Sequence, residues 1–299
     1  MPLLVLLLLA VLAGTAVFLA VRPDDGRRGP VAAPDDPAVD AARAAGEHAG
    51  DHPRLRAALT DDPEQATGLG LTLALVAIIG GGLILAALAL VIRHHHGLLR
   101  IDSSIANWGD RHATGASTSG LKLVTDLGAT WLVVIVAVLV ALVEARRTAS
   151  RWMAPFFLLL VIAGDKLLNA TTKGIVDRAR PTLNPLADTL GPSFPSGHTS
   201  TAAAFWAAVA LIAGRWCGRR GRAVLTGLAV GIAVGVAASR VLLDVHWLTD
   251  VLGGLALGWA WFAACAVAFG GRLLRFGAGS GIAARAAAGP PHDAASREA

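Results

Sequence analysis

The sequence predicts an all-α protein, a polytopic membrane helix bundle with a six-span core and one additional N-terminal span. Of its 299 residues, 55% are hydrophobic and only 16% are charged, against about 25% charged in an average soluble domain. Apolar runs near the ~20 residues that cross a bilayer core recur along the chain. The net charge of +5 comes mainly from arginine clusters between these runs. Such clusters suit anionic lipid headgroups, and without a basic stripe carrying interleaved aromatics no nucleic-acid partner is expected.

Two segments precede the predicted core. Pro2–Val21 has no basic n-region and no convincing small-residue cleavage site, so residues 1–21 are expected to be a retained transmembrane segment, not a cleaved signal peptide. Residues 22–68 are rich in Pro, Asp, Ala and Arg and lack a sustained apolar face. This composition predicts a polar, partly disordered connector.

The core itself is expected over residues 69–272. Its six predicted spans are, in order, Leu69–Ile92, Leu121–Val143, Trp152–Leu168, Thr199–Ala213, Val224–Ala238 and Val251–Phe269. Residues 273–299 are rich in Gly and Ala and contain a Pro-Pro pair, so a disordered tail is expected there.

Basic residues in the short loops predict how the bundle is oriented, because cytoplasmic loops carry an excess of Lys and Arg. The clusters that indicate the cytoplasmic side are Arg146, Arg147 and Arg151, then Arg215, Arg219, Arg220 and Arg222, then Arg272. Segments 173–198 and 239–250 therefore share the extracytoplasmic side of the cell membrane. They also hold Arg178, Arg180 and Arg240, and anion binding is the expected reason for basic residues there.

Gly227, Gly231 and Gly235 place small residues every four positions on one face of a span. This spacing lets helix backbones approach closely. Packing within the chain is the favoured interpretation, and a homodimer contact remains open.

Metal and cofactor signals are weak. Cys217 and Cys265 lie in a basic loop and in an apolar run, with no zinc-type Cys/His spacing. The triplet His94, His95 and His96 directly follows an apolar segment, and a polar interfacial flank is favoured over a metal site. No cofactor and no metal are therefore expected.

Three short motifs carry the chemistry, and the first is basic. Lys173, Arg178 and Arg180 put three cations at the end of a span, where Pro181 is expected to stop the helix. Arginine matches phosphate oxygens with a planar fork of donors, and lysine adds a movable charge. For an isolated cluster, a lipid-headgroup anchor would be the favoured interpretation.

The second motif is Pro195-Ser196-Gly197-His198, directly before an apolar helix. Free backbone N–H groups and the positive end of the helix dipole would face an anion there. Gly197 lets the anion approach the backbone, Ser196 can cap the helix or donate its hydroxyl, and His198 is a proton donor in the first turn.

The third motif is Ser239-Arg240 followed by His246 and Asp250. His246 and Asp250 are four residues apart and share a helix face, so the carboxylate can hold one ring N–H while the other nitrogen attacks phosphorus. Ser239 and Arg240 add donors to the phosphate. For this pair alone, a purely structural hydrogen bond would be the favoured interpretation.

Together the motifs resemble, residue for residue, the signature of the type 2 phosphatidic acid phosphatase superfamily, which includes bacterial acid phosphatases and vanadium haloperoxidases. The pattern is Lys, six residues, Arg-Pro; then Pro-Ser-Gly-His; then Ser-Arg, five residues, His, three residues, Asp. More loosely, the resemblance extends over residues 69–272.

The resemblance implies a role for each matching residue. His246 is similar to the nucleophile that becomes phosphorylated, Asp250 to the group that orients it, and His198 to the general acid that then activates water. The residues that resemble a metal-free phosphate cradle are Lys173, Arg180, Ser196, Gly197 and Arg240. Asp244 is an extra carboxylate near the site for which the sequence offers no account.

Motifs at span ends place the reacting phosphate at headgroup level, which favours a lipid phosphate or diphosphate as substrate. By analogy within the family, undecaprenyl diphosphate is the first expectation, followed by phosphatidic acid and phosphatidylglycerol phosphate. A lipid phosphotransferase is a second enzymatic reading. A non-catalytic lipid-phosphate binder or transporter is disfavoured, because binding alone requires no oriented imidazoles.

Overall fold

The computed structural model describes residues 63–94, 99–112, 114–148, 151–181 and 191–287. Within these residues the chain forms eight helices and no strand. They are α1 (Pro63–His94), α2 (Leu99–Arg111), α3 (Gly115–Asp126), α4 (Thr130–Arg147), α5 (Met153–Val176), α6 (Gly197–Gly214), α7 (Arg219–Leu242) and α8 (Leu248–Ala287). The predicted N-terminal span, most of the connector, residues 288–299 of the tail, and His95 and His96 lie outside the described residues.

The predicted all-α membrane bundle is confirmed. Four helices in the described part of the chain are long and apolar enough to cross a bilayer, and the bent pair α3–α4 would make five. The four are Leu71–Arg93, Met153–Val176, Arg220–Leu242 and Leu248–Phe269. The remaining predicted span corresponds to α6, whose first turn is polar and which neighbouring helices bury over much of its length.

Helix α6 lies at the centre of the bundle and packs against α5, α7 and α8. Phe205 and Ile212 of α6 join the buried core cluster with Phe157 and Val161 of α5. Glycine permits close helix approach: a Cβ added at Gly258 of α8 would clash with the Ser200 carbonyl of α6, and one added at Gly254 would lie 2.8 Å from the carbonyl oxygen of Ser196, the N-cap of α6. The start of α8 is thereby held against the start of α6.

One predicted span is broken. Leu121–Val143 was expected to be a single helix, but α3 and α4 meet at a bend of 45°. Gly128 at this break approaches the His198 carbonyl so closely that an added Cβ would lie 2.5 Å from that oxygen. The Trp206 indole donates to the Leu127 carbonyl at 2.9 Å, which satisfies a group released by the break.

The ends of two helices also differ from the sequence prediction. Pro181 does not end α5, because the helix ends at Val176 and Asp177 follows with the left-handed φ of 45°. Helix α8 continues to Ala287, into the segment where a disordered tail was expected. The repeat of small residues on α7 faces its own chain in part, since Gly227 and Gly235 are buried.

Candidate active site

The three motifs meet at one end of the bundle. The backbone N–H of Ser196 donates to the Asp250 carbonyl at 3.0 Å, which joins the second and third motifs. The Arg180 guanidinium donates to the Val245 carbonyl at 2.8 Å, which joins the first to the third. Two predicted cytoplasmic clusters meet at the other end, where Arg147 lies over the Trp216 ring.

His246 lies in the turn between α7 and α8, two residues before α8 begins at Leu248. Asp250, in the first turn of α8, accepts the Trp247 backbone N–H at 3.0 Å through Oδ2. This reverse cap brings the same oxygen to 3.3 Å from His246 Nδ1. The i,i+4 pairing predicted from the sequence therefore forms across a helix start, with both side chains buried.

The hydrogen bonds of His246 assign its tautomer. Nε2 lies 3.2 Å from Nη1 of Arg180, a group that can only donate, so Nε2 is the acceptor and carries the lone pair. Nδ1 then carries the proton and donates to Asp250. Burial lowers the pKa of His246 to about 4, and the charges of Arg240 and Arg180 add to this effect against the opposing influence of Asp250. The ring is therefore neutral at neutral pH, and its lone pair on Nε2 faces Arg180.

Three cationic side chains predicted to bind phosphate surround this ring. Lys173, in the last turn of α5, donates to the Pro192 carbonyl, and Arg180 donates to the Gly191 carbonyl at 2.9 Å. Arg240 on α7 donates to Thr125 Oγ1 at 3.3 Å, and its buried Nε has no hydrogen-bond partner among the described residues. A buried donor without a partner points to an acceptor supplied by a ligand.

Helix α6 begins at this site with the second motif. Ser196 is the N-cap residue, its side chain makes no capping hydrogen bond, and its hydroxyl accepts from Thr199 Oγ1 at 3.0 Å. The first-turn N–H groups of a helix that lacks such a cap suit an anion. Gly197 packs beside the Asn169 side chain, and His198 is half-buried in the same turn.

Two further residues of the third motif have structural contacts. The Ser239 hydroxyl is buried and donates to the Val236 carbonyl of its own helix at 2.7 Å, so its assignment as a phosphate donor stays a prediction. Asp244 is buried with a left-handed φ of 55° and follows the end of α7. Aspartate is among the few non-glycine residues that adopt this conformation readily, which gives the extra carboxylate a place in the turn.

Arg178 is a cation of the first motif that was not among the expected cradle residues, and the structure shows its partners. Its Nη1 donates to Asp250 Oδ1 and to Thr249 Oγ1, both at 2.6 Å. Its Nη2 donates to Asp102 Oδ2 at 2.7 Å. Because this buried guanidinium donates to two carboxylates, one of them Asp250, Arg178 holds the partner of His246 in place. It is not directed toward a phosphate.

Asp102 and Thr249 also belong to this cluster, and no motif in the sequence indicated either of them. Asp102 lies on α2, a short amphipathic helix that is not a span and that carries none of the three motifs. The sequence carried one sign of a packed helix face, because Asp102, Ala106 and Gly109 recur at helical intervals. In the structure all three residues are buried. Among the described residues, no group of three or more His, Cys, Asp or Glu side chains has the arrangement of a metal site.

This fold and this site define a multi-pass helical membrane protein with a buried imidazole–carboxylate pair facing a cluster of cations. Residues 154–273, which contain all three motifs, match the family model of the PAP2 superfamily. The resemblance to type 2 phosphatidic acid phosphatases is thereby confirmed.

Individual relatives agree with this match. Phosphatidylglycerophosphatase B of Bacillus subtilis (strain 168) is 40% identical over 104 residues, which cover 34% of this chain and 51% of the relative. Lipid A 1-phosphatase of Rhizobium johnstonii is 31% identical over 130 residues, or 40% of this chain and 49% of the relative. The chain thus spans about half the length of the curated relatives it matches.

A solved structure shows the same fold. It is the crystal structure of the first transmembrane PAP2 type phosphatidylglycerolphosphate phosphatase from Bacillus subtilis, with a TM-score of 0.58 and 29% sequence identity. The alignment covers 64% of this chain and 94% of that chain.

Proposed function

We propose that this protein is an integral-membrane phosphatase that hydrolyses a lipid phosphate or diphosphate through a phosphohistidine on His246. One observation carries the proposal: Nε2 of His246 accepts a hydrogen bond from Arg180 while Nδ1 faces Asp250. This arrangement leaves the lone pair of Nε2 directed at a cation that binds phosphate, and it gives the ring a carboxylate partner for the positive charge that it acquires.

The first chemical step forms the N–P bond. Nε2 of His246 attacks phosphorus, the bond to the leaving oxygen breaks, and His198 gives that oxygen a proton. Burial and the charge of Arg240 lower the pKa of His198 to about 3 in the free enzyme, so the ring takes up this proton from water as the anionic phosphate binds and offsets the cations. Donors from three elements stabilise the negative charge on the three equatorial oxygens by hydrogen bonding and electrostatic attraction, without covalent chemistry. These donors are Lys173, Arg180, Arg240 and the N–H groups of Ser196 and Gly197.

The second step returns the free enzyme. His198, now neutral, takes a proton from water as the water oxygen attacks phosphorus, and the N–P bond breaks. His246 leaves with its lone pair restored on Nε2, while Asp250 holds the Nδ1 proton throughout. The products are an alcohol, or a lipid monophosphate when the substrate is a diphosphate, together with inorganic phosphate.

The lipid class of the substrate follows from where the site lies. His246 and the cations stand at the ends of apolar helices, so a phosphate at headgroup level reaches them while its tail stays in the bilayer. The names of the relatives support a lipid phosphate, and they add weight to phosphatidylglycerol phosphate. Undecaprenyl diphosphate remains the first candidate by analogy within the family, followed by phosphatidic acid.

The decisive experiment replaces His246 by Ala in protein purified in detergent and assays a panel of prenyl and glycerolipid phosphates. We expect phosphate release to fall by roughly 10³-fold or more, while substrate binding stays measurable. His112→Ala is the matched control, because this histidine is exposed, stacks on Trp108 and belongs to none of the three motifs. Unchanged turnover by His246→Ala would exclude the mechanism.

The same assay separates the alternative activities. Radiolabelled phosphate recovered in an acceptor lipid, with little free phosphate, would identify a phosphotransferase. Binding without any transfer in the unmodified protein would identify a binder or transporter. Activity is expected to survive EDTA, and a complete loss that a divalent ion restores would contradict the metal-free mechanism.

A further inference from the structure

Helix α2 lies outside the segment that matches the family, residues 154–273, yet one of its side chains reaches the candidate active site. Asp102 is 1% exposed, and the same face of α2 packs onto the ends of α7 and α8. A Cβ added at Gly109 would contact Leu242 at 3.5 Å, and Ile105 joins the core cluster that contains Val251. Packing therefore holds the carboxylate of Asp102 in place.

Asp102 binds two neighbours of the catalytic pair. Its Oδ2 accepts from Arg178 Nη2 and from Thr249 Oγ1, both at 2.7 Å, and its Oδ1 accepts the Thr249 backbone N–H at 3.1 Å. Arg178 continues the chain to Asp250 Oδ1. Four buried residues thus form one connected hydrogen-bond network from α2 to the His246 partner.

This network fixes the direction of Asp250. Arg178 occupies Oδ1, so Oδ2 is the oxygen left for His246 and for the Trp247 N–H. A carboxylate whose two oxygens have different fixed partners cannot rotate without breaking a buried charged hydrogen bond. The ring of His246 is therefore oriented by residues that never touch it.

The network also sets the charge available to His246. Arg178 alone would neutralise Asp250 and weaken its attraction for a ring that becomes positive when Nε2 forms the N–P bond. Asp102 offsets the Arg178 charge, so two carboxylates share one guanidinium and a net negative charge remains beside Nδ1. Because these side chains are buried, such compensation has a large effect on a developing charge.

We propose that Asp102 is a positioning residue that acts through Arg178 and Thr249 to aim Asp250 at His246 and to preserve its negative charge during phosphoryl transfer. The proposal rests on the function proposed above. It assigns a role in the chemistry to a helix that the family match does not include.

The test compares Asp102→Asn with the unmodified full-length chain. We expect the rate of phosphohistidine formation, measured by rapid quench with radiolabelled lipid phosphate, to fall about 10- to 100-fold, as is typical when an outer partner of a reacting group is lost. KM is expected to change less than about threefold, because the other charged groups that face His246 stay in place. These are Asp250 on α8, Arg180 after α5, Arg240 on α7 and His198 on α6.

Glu144→Gln is the matched control. Glu144 is also a buried carboxylate on an arginine, since it accepts from Arg215 and from the Trp216 indole at the opposite end of the bundle. Its replacement should lower the thermal unfolding midpoint as Asp102→Asn does, with the rate of phosphohistidine formation unchanged. Equal loss of that rate in both variants would overturn the proposal and leave a purely structural role for Asp102.

A double variant keeps the proposal testable if Asp102→Asn alone folds poorly, because removing both members of a buried ion pair costs less than removing one. Arg178→Gln removes the charge that Asp102 offsets, so the double variant with Asp102→Asn should be no slower than Arg178→Gln alone. Rate losses that multiply in the double variant would overturn the coupling. If His246→Ala releases no phosphate but Asp102→Asn forms phosphohistidine at the normal rate, this inference alone is refuted. If His246→Ala stays active, the proposed function is refuted.

Discussion

At the scale of single residues, the motifs predicted which side chains lie together at one end of the bundle, but not which partner each cation takes. Their catalytic roles stay predictions. Lys173, Arg180 and Arg240 converge as their positions in the motifs indicate. Arg178 differs because its partner Asp102 comes from a helix with no recognisable pattern. Residue type and spacing show that a guanidinium can bind an anion. Only the tertiary structure shows that the anions bound by Arg178 are the carboxylates of Asp102 and Asp250.

The pKa of His246 leads to a prediction about stability. Its folded value of about 4 lies below the value of about 6.5 for an unfolded histidine. As pH falls, the unfolded chain takes up this proton first, so the folded state loses stability between about pH 6.5 and 4. The thermal unfolding midpoint of the unmodified protein should therefore drop more from pH 7.5 to pH 5 than that of His246→Gln. Equal drops would show that His246 is not buried in its neutral form.

At the scale of elements, apolar runs predicted the long helices. They did not predict the short helix, the bend or the helix ends between the spans. Helix α2 was missed because a short amphipathic helix resembles a polar loop when spans are counted. The bend at Gly128 was missed because the group against which this glycine packs, the carbonyl of His198, comes some seventy positions later in the sequence. The end of α5 was also missed, because the left-handed conformation of Asp177 ends the helix and leaves no apolar pattern in the sequence.

The bend leads to a second prediction. Gly128→Ala would press a Cβ against the backbone of the first turn of α6, where a carbonyl cannot move without shifting Ser196 and His198. Overpacking of this kind costs about 1–3 kcal/mol. We expect kcat/KM for a lipid phosphate to fall at least about tenfold, since phosphoryl transfer requires close positioning.

Gly82→Ala on α1 provides the control, because an added Cβ there meets nothing within 4 Å. Its kcat/KM and unfolding midpoint should stay close to those of the unmodified protein. Full activity in Gly128→Ala would mean that α6 can shift at its first turn without disturbing the site.

At the scale of the whole molecule, the placement of the three motifs at one end of the bundle was predictable from sequence, since alternate loops of a helical bundle fall on alternate ends. The basic loops lie at the other end, as the contact of Arg147 with Trp216 shows. We propose from the excess of basic residues that this second end faces the cytoplasm and that the site faces outward.

Labelling with a membrane-impermeant maleimide tests that orientation. Cys217 lies in the basic loop and is partly exposed, so it should stay unlabelled in intact cells and react in inside-out vesicles. A cysteine introduced at the exposed Ser104 of α2, near the site, should show the opposite pattern in a Cys217→Ser background. Labelling of Cys217 in intact cells would reverse the proposed orientation.

Under the proposed mechanism, the contact between Arg180 and Nε2 of His246 covers the nucleophile until its substrate arrives. The guanidinium stands where phosphorus has to come, so the two compete for one position. A neutral electrophile forms no ion pair with Arg180, so the hydrogen bond from Arg180 to Nε2 stays in place and blocks the nitrogen. An anion binds the guanidinium through its own oxygens, and the ring is exposed as the anion enters. Selection against uncharged reagents is thus a property of the resting site, because only the charge of the incoming group opens access to the imidazole.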